Sequence, residues 1–356
     1  MTLENFATPE GTARYRERFA GRAAAGHFRL REGLYLSSIG IGTYLGNPDE
    51  ATDLRYKDAV VRAVQLGVNV IDSAANYRFQ RSERSIGEAL KALTAEHGFS
   101  RDEVVICTKG GYLPFDGTPP YDTQQYIQDT FVKPGVATLD DIVGGSHCMT
   151  PAYLQNQLDQ SLKNLDVSTV DVYYIHNPES QLGYVSQDEF YSRLQRAFEG
   201  LEQNRSEGKL RYYGVATWNG FRVAADALGH HSLERMLELA REAGGEGHGF
   251  RFIQLPLNLA MPEGIQVSEA AEELGVTVIA SASMLQARLS KGLPEQIRPP
   301  LGSLRRDAQT AIQFVRSTPG VTTALVGMSR VDHVEENLEL VQVEPASLDK
   351  FAQLFS

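Results

Sequence analysis

The chain has 356 residues, a length that fits either two average domains or one large α/β barrel. Its 42% hydrophobic and 22% charged residues are ordinary for a globular protein, which argues against disorder. Acidic residues outnumber basic ones by 45 to 34 and no run of Lys or Arg occurs, so we expect no nucleic-acid-binding surface.

The cysteine content and the N-terminal segment bear on where the protein resides. The two cysteines, Cys107 and Cys148, do not suggest a disulfide framework, which favours a reducing compartment. Residues 1–27 contain neither the apolar core of a signal peptide nor a stretch long enough to cross a bilayer. We therefore predict a cytoplasmic protein that does not bind membranes, with residues 1–27 as an N-terminal arm.

Short runs rich in Val and Ile alternate with longer segments of helical periodicity, which predicts repeated βα units. The runs are apolar without alternation, as is typical of parallel strands buried on both faces. Eight such units close into a barrel more readily than they extend as an open sheet, and no GxGxxG follows the first strand. We therefore predict a (β/α)8 TIM barrel over residues 28–356 rather than a Rossmann fold. The predicted strands are SSIGIGT, VNVIDSA, VVICTKG, VDVYYIH, YYGVAT, FIQLPL, VTVIASA and TALVGMS.

The segments between these strands include outer helices and one insertion. Apolar residues at three- and four-residue spacing predict amphipathic helices at 54–67, 81–98 and 151–165, and a short helix at 347–356. Residues 113–150 separate the third strand from its helix and are too long and too aperiodic for an ordinary connection. Such loops leave the C-terminal mouth of a barrel, so this insertion is expected either to line the substrate pocket or only to support it.

Polar residues end three neighbouring predicted strands. Asp72 lies at the end of the second strand, Lys109 ends the third and His176 ends the fourth, while Tyr77 follows Asp72 by five residues. The C-terminal ends of barrel strands converge on one mouth, so these side chains are expected to meet. Each residue alone is more often a cap or a satisfied polar group. Together they are typical of a catalytic site.

The combination has a definite chemical use, which is proton donation. A free phenol has a pKa of about 10 and is too weak an acid to protonate a developing alkoxide near neutral pH. An ammonium beside it favours the phenolate, so Lys109 is expected to lower the pKa of Tyr77 while Asp72 holds Lys109 in place. His176 could direct a carbonyl oxygen toward Tyr77 by hydrogen bonding.

Three segments carry a family resemblance. NVIDSAANY, VVICTKGG and DVYYIHNPE resemble, in order and spacing, the segments that hold the catalytic tetrad of the aldo-keto reductase superfamily. GLYLSSIGIGTYLG, GVATWNGF, FIQLPLN and VGMSRVDHVEENL resemble further segments of that family, so the resemblance covers about residues 28–342. It implies an NAD(P)-dependent oxidoreductase that reduces an aldehyde, ketone or sugar. Asp72, Tyr77, Lys109 and His176 would be its tetrad, with Tyr77 as general acid/base.

The resemblance also implies residues for the nicotinamide end of the cofactor. Thr43 and Tyr44 match positions that line the nicotinamide and the substrate. Gln254 matches the glutamine that binds the carboxamide, and Asp72 adjoins the same site.

Three positions depart from the family pattern. Ala216-Thr217 replaces the usual Ser-Asn pair of the fifth strand, so a carboxamide hydrogen bond is lost or moves to Thr217 or Asn219. Ser281 stands where the family commonly has an aromatic residue stacked on the nicotinamide. Gly327 aligns with a family lysine, which removes one cationic contact.

The eighth strand leads into the segment implied to bind the adenosine phosphate. Ser329, Arg330 and His333 could hold a 2′-phosphate, and Glu336 and Asn337 match the adenine-binding pair. This favours NADP over NAD as cofactor.

Further histidines lie outside the predicted active site and cofactor site. His147, His230-His231 and His248 lack the spacing of metal ligands and lie in polar surroundings, so we expect exposed loop histidines and no metal site.

A lyase or aldolase that uses Lys109 as a Schiff-base nucleophile is one alternative to the reductase. A non-catalytic or very slow nicotinamide-sensing, channel-associated subunit is the other. The expected partner is a small-molecule carbonyl compound.

Overall fold

The computed structural model describes residues 6–355, and its centre is a closed barrel of eight parallel strands. The chain forms strands β1 (Phe28–Arg31), β2 (Leu34–Ser37), β3 (Ile39–Gly42), β4 (Val70–Asp72), β5 (Val105–Gly110), β6 (Val170–His176), β7 (Leu210–Ala216), β8 (Phe250–Pro256), β9 (Thr277–Ser281) and β10 (Val321–Gly327). Strands β3 to β10 pair in chain order, and β10 pairs back with β3. All eight predicted strands overlap these eight, so the TIM-barrel prediction is confirmed.

Helices surround the barrel, and six of them begin at a side chain that caps the first turn. The helices are α1 (Pro9–Arg18), α2 (Glu50–Gln65), α3 (Arg81–Glu96), α4 (Thr123–Ile127), α5 (Pro151–Leu165), α6 (Gln187–Ser206), α7 (Leu233–Gly244), α8 (Ile265–Glu273), α9 (Asp307–Ser317), α10 (Val331–Leu338) and α11 (Leu348–Ala352). Asp49 caps α2 by accepting from the backbone N of Thr52. Thr150 caps α5, and Pro151 is the first residue of that helix. No helix within residues 6–355 is long and apolar enough to span a bilayer.

The predicted helices match this arrangement. Segments 54–67, 81–98 and 151–165 coincide with α2, α3 and α5. The predicted C-terminal helix contains α11, where Phe351 stacks on Phe314 of α9, while residue 356 lies outside the described part.

Alternation along the strands divides the core into two layers. Outward residues such as Ile71, Ile106 and Ile253 pack against the helices. Inward residues such as Val105 and Val172 form a second cluster inside the barrel. Since side chains alternate with a period of two, the last inward position of each strand lies at the C-terminal mouth. That position carries the polar residues described below.

A β-hairpin closes the other end of the barrel. Strands β1 and β2 pair antiparallel around Glu32-Gly33, whose φ values of 50° and 76° belong to a tight hairpin turn. Leu34 and Leu36 are fully buried in the inner cluster. Ala7 joins them from the predicted arm, and its backbone N donates to Asp171 at 2.7 Å. The arm thus seals the barrel floor; its first five residues lie outside the described part.

The predicted insertion, residues 113–150, leaves the C-terminal mouth and returns to it. Its two ends meet where Tyr112 pairs with His147. Gln80 of the preceding loop donates to the carbonyl of Phe115 at 3.0 Å, which ties the insertion to the start of α3. Tyr112 lines the central cavity, whereas no residue within 113–150 does so.

Candidate active site

The four residues of the predicted tetrad meet at the C-terminal mouth. Asp72, Lys109 and His176 occupy inward positions at the ends of β4, β5 and β6. Lys109 Nζ donates to Asp72 Oδ2 and to the carbonyl of Ser73, each at 2.6 Å. The same Nζ lies 4.9 Å from the centre of the Tyr77 ring, which packs against His176 with ring centres 5.8 Å apart.

A strained turn presents Tyr77 to the mouth. Three consecutive non-glycine residues follow it in the left-handed region, with φ of 47° at Arg78, 58° at Phe79 and 69° at Gln80. Such backbone persists only where surrounding contacts impose it. The buried Arg78 guanidinium supplies them, because it donates to Asp53 at 2.6 Å and to Ser82 at 3.1 Å.

Lys109 is an ammonium rather than a free amine. Its side chain is 1% exposed, and burial by itself lowers the pKa of Lys109. The neighbouring Asp72 and Tyr77 outweigh burial, so the pKa of Lys109 is raised. We therefore describe Lys109 and Asp72 as a buried ion pair, with the second Asp72 oxygen accepting from Gln254 Nε2 at 2.8 Å.

The Tyr77 phenol responds to burial more than to its cationic neighbour. Burial raises the pKa of Tyr77 above its ordinary value of 10.0, and the Lys109 ammonium limits that rise. Lys109 thus acts on the pKa of Tyr77 in the predicted direction, but burial outweighs it. The reason is that a buried phenolate loses its hydration, and one nearby cation does not fully replace it.

His176 is neutral, and its backbone carbonyl is contacted by His147 of the insertion. Burial and the Lys109 ammonium keep the pKa of His176 well below its ordinary range. His147 Nε2 lies 2.8 Å from the His176 carbonyl, and Gln181 Nε2 donates to His147 Nδ1 at 2.9 Å. His147 is thus a neutral ring that donates to His176. Gly111 permits this contact, since a Cβ there would lie 2.9 Å from the His147 ring and its φ is 145°.

Three of the histidines expected in exposed loops are buried instead. The exposed fractions are 0% for His147, 1% for His231 and 5% for His248. Burial lowers the pKa of His147 to about 4. Exposure was predicted from the polar residues that flank these histidines in sequence. The prediction failed because residues distant in sequence cover the rings. Within residues 6–355 no three His, Cys, Asp or Glu side chains are grouped as metal ligands.

Glu179, which the sequence did not single out, anchors the loop after β7. Its Oε1 accepts from Thr217 Oγ1 and the backbone N of Trp218, both at 2.7 Å, and from the backbone N of Asn219 at 3.0 Å. Its Oε2 lies 3.5 Å from His231 Nε2. Burial alone would raise the pKa of Glu179, but these partners lower it to about 2.

The hydrogen bonds to Glu179 limit what Thr217, which replaces the Asn of the usual Ser-Asn pair, can bind. The Thr217 hydroxyl donates to Glu179 and accepts from the backbone N of Gly220 at 2.7 Å, so its hydrogen-bonding capacity is largely used within the loop. Asn219 does not line the cavity. Neither residue is placed as a ready replacement for the family's carboxamide contact.

A cavity of about 970 Å³ opens at the mouth beside the tetrad. Asp72, Tyr77 and His176 line it, while Lys109 lies behind Asp72. The predicted cofactor residues that line it are Thr43, Tyr44, Asp72, Thr217, Gln254, Ser281, Gly327, His333, Glu336 and Asn337.

Comparison with known proteins places this barrel in a family. The family model "Aldo/keto reductase family" matches residues 38–300, well over half of the chain. The chain belongs to the aldo/keto reductase family. It is an oxidoreductase family that acts on small carbonyl compounds with a nicotinamide cofactor.

Individual relatives of this aldo/keto reductase are distant. L-glyceraldehyde 3-phosphate reductase of Escherichia coli (strain K12) is 24% identical over 98% of this chain and 94% of its own. A Schizosaccharomyces pombe protein named "Putative voltage-gated potassium channel subunit beta" is 24% identical over 88% of this chain and 87% of its own. The crystal structure of an aldo/keto reductase from Klebsiella pneumoniae with NADP and acetate has a TM-score of 0.62 at 22% identity. It covers 93% of this chain and 94% of that one.

In this aldo/keto reductase the predicted phosphate-binding residues are only partly at the cavity. Ser329 and Arg330 do not line it, and Arg330 forms an exposed ion pair with Asp332. The basic residues that do line it were not predicted. They come from the long connection between β9 and α9 and are Lys291, Arg298, Arg305 and Arg306. A concentration of Arg and Lys in this aperiodic segment was the available signal.

Proposed function

We propose that this aldo/keto reductase reduces a carbonyl group to an alcohol with NADPH, and that Tyr77 is the proton donor. The buried Lys109–Asp72 ion pair beneath the Tyr77 ring is the observation that carries the proposal. A buried ion pair is on balance a weak source of stability, because burying both charges offsets their attraction. It becomes useful when the phenol must give up its proton, because the cation stabilises the phenolate that remains.

NADPH, when bound, supplies the hydride that the carbonyl carbon receives. The Tyr77 hydroxyl gives its proton to the carbonyl oxygen. Since burial keeps this phenol protonated through neutral pH, Tyr77 starts the reaction as an acid. The neutral His176 ring donates a hydrogen bond that orients the same oxygen, and Asp72 keeps Lys109 in place. The reverse reaction uses the Tyr77 phenolate as the base.

The cavity also carries basic residues suited to a phosphorylated dinucleotide. Lys291 and Arg305 line it, are exposed and form no ion pair with any residue of 6–355, so their charges are free to bind phosphate. His333 also lines the cavity. We propose that Arg305 and His333 hold the 2′-phosphate, rather than the Arg330 that the sequence suggested, and that Glu336 and Asn337 contact the adenine. This arrangement favours NADP over NAD.

The rival functions have less support. Schiff-base chemistry needs a free amine that reaches the substrate, but the Lys109 ammonium is paired, buried and behind Asp72. The name of the fission-yeast relative gives the channel-subunit alternative its support. The complete tetrad geometry favours an enzyme. The two cysteines are both free and buried, which supports the proposed cytoplasmic location.

The test is NADPH oxidation with a panel of aldehydes, ketones and sugars, compared between the wild type and Tyr77→Phe. The variant should lose about 10²- to 10⁴-fold in kcat while its affinity for NADPH, measured by fluorescence, stays the same. Tyr174→Phe is the control, because Tyr174 is a buried tyrosine on β6 that does not line the cavity. Turnover by Tyr77→Phe within about tenfold of the wild type would exclude Tyr77 as the acid.

A further inference from the structure

Aromatic rings surround the reacting end of the cavity. Tyr44 packs against Tyr77 with ring centres 4.9 Å apart, and Tyr112 packs edge-on against His176 at 5.1 Å. Trp218 lines the same cavity and remains 43% exposed. Asn177 Nδ2 donates to the Tyr112 hydroxyl at 3.2 Å, so these two polar groups are neutral. Such a surface suits a sugar ring or an aromatic or aliphatic aldehyde.

The cations that line the cavity come from one part of the chain. All four of its Lys and Arg side chains come from residues 291–306, after β9. In the ring of eight strands, β9 stands opposite β5, which leads to Tyr112. Among the described residues that line the cavity, the connections after β3 to β7 contribute no Lys or Arg. The nearby Lys109 is already paired with Asp72 and sealed off.

A buried negative charge adds to this uneven distribution of charge around the cavity. Glu179 accepts from the backbone N of Trp218, so its carboxylate lies one hydrogen bond behind the aromatic wall. Its pKa of about 2 keeps it ionised across the working pH range. An anionic group beside Trp218 would therefore meet a like charge. The neighbouring Arg222 donates to the Trp218 carbonyl at 3.4 Å and pairs with Glu263 at 3.4 Å, and it does not line the cavity.

We propose that the reacting end of this site selects uncharged carbonyl compounds and rejects those that carry a phosphate or carboxylate. The inference rests on the proposed carbonyl reduction and adds the substrate class. It separates this chain from what the name of the Escherichia coli relative states, a reductase of L-glyceraldehyde 3-phosphate. Neutral sugars and simple aldehydes are the expected substrates.

The experiment uses two pairs of aldehydes that differ only in charge: glyceraldehyde with glyceraldehyde 3-phosphate, and benzaldehyde with 4-carboxybenzaldehyde. With saturating NADPH, kcat/KM should favour the neutral member of each pair by at least about tenfold. Trp218→Arg should shift both ratios toward the anion by about tenfold or more, since it places a cation on the aromatic wall.

Leu228→Arg is the matched control, because it adds the same charge at a residue that is 78% exposed and does not line the cavity. Its ratios should equal those of the wild type. Wild-type ratios within about threefold of unity, or a preference for the anions, would overturn the inference, as would equal shifts in both arginine variants. Absence of turnover with all four aldehydes would overturn the proposed function and this inference with it.

Discussion

Glu179 offers a test in which the structure sets both the sign and the size of the effect. Its folded-state pKa of about 2 lies below the ordinary value of 4.5, because His231 and then the hydrogen-bond donors of Asn219 and Thr217 favour the carboxylate over the burial that opposes it. A depressed carboxyl pKa contributes stability that is present above pH 4.5 and is lost as the pH falls toward 2. The full difference corresponds to about 3 kcal/mol, of which about 1 kcal/mol is lost by pH 3.5.

Glu179→Gln removes this titration but keeps an oxygen that can accept the same hydrogen bonds. Urea unfolding of both proteins at pH 6.5 and pH 3.5 gives the free energies of unfolding. The wild type should lose about 1 kcal/mol more than the variant between these pH values. Glu10→Gln, at an exposed position on α1, controls for the loss of one negative charge. Parallel losses in the wild type and Glu179→Gln would refute the reasoning.

Three further substitutions test the site. Lys109→Met should destabilise the protein by about 3–5 kcal/mol, because a buried carboxylate loses its partner. It should also move the basic limb of alcohol oxidation to higher pH, and an unmoved limb would show that the cation does not act on the phenol. Arg305→Ala should raise the KM for NADPH more than that for NADH, whereas Arg330→Ala should change neither; equal effects on both cofactors would remove Arg305 from the phosphate site. His147→Phe keeps a ring but leaves a buried carbonyl unpaired, at a cost of about 1–3 kcal/mol. It should lower kcat without changing the KM for NADPH, and an unchanged melting temperature would contradict its anchoring role.

The barrel and its reacting end were predictable because periodic signals encode them. Strands buried on both faces are apolar throughout, and a polar residue at the end of such a strand stands out, as Asp72, Lys109 and His176 do. The hairpin was missed because Leu34 and Leu36 continue into the apolar run of the first barrel strand. Only the Glu32-Gly33 pair signalled its turn.

The rest of the site depends on contacts between residues that are distant in sequence. Glu179 acts through a loop that begins 38 residues later, and His147 through a carbonyl 29 residues away. Neither lies in a periodic segment. The arginines between β9 and α9 belong to a long irregular connection whose path follows from packing. Composition could show that they are basic, but not that Arg305 faces the cavity while Arg330 turns to Asp332.

The sealed floor of the barrel has a kinetic consequence. Leu34, Leu36 and Ala7 fill the N-terminal end, so within residues 6–355 the barrel interior is closed on that side. The cofactor and the substrate then both enter through the C-terminal mouth, and the alcohol leaves through the same opening. Release of product through that opening, rather than the proposed proton transfer from Tyr77, can then limit the rate of turnover.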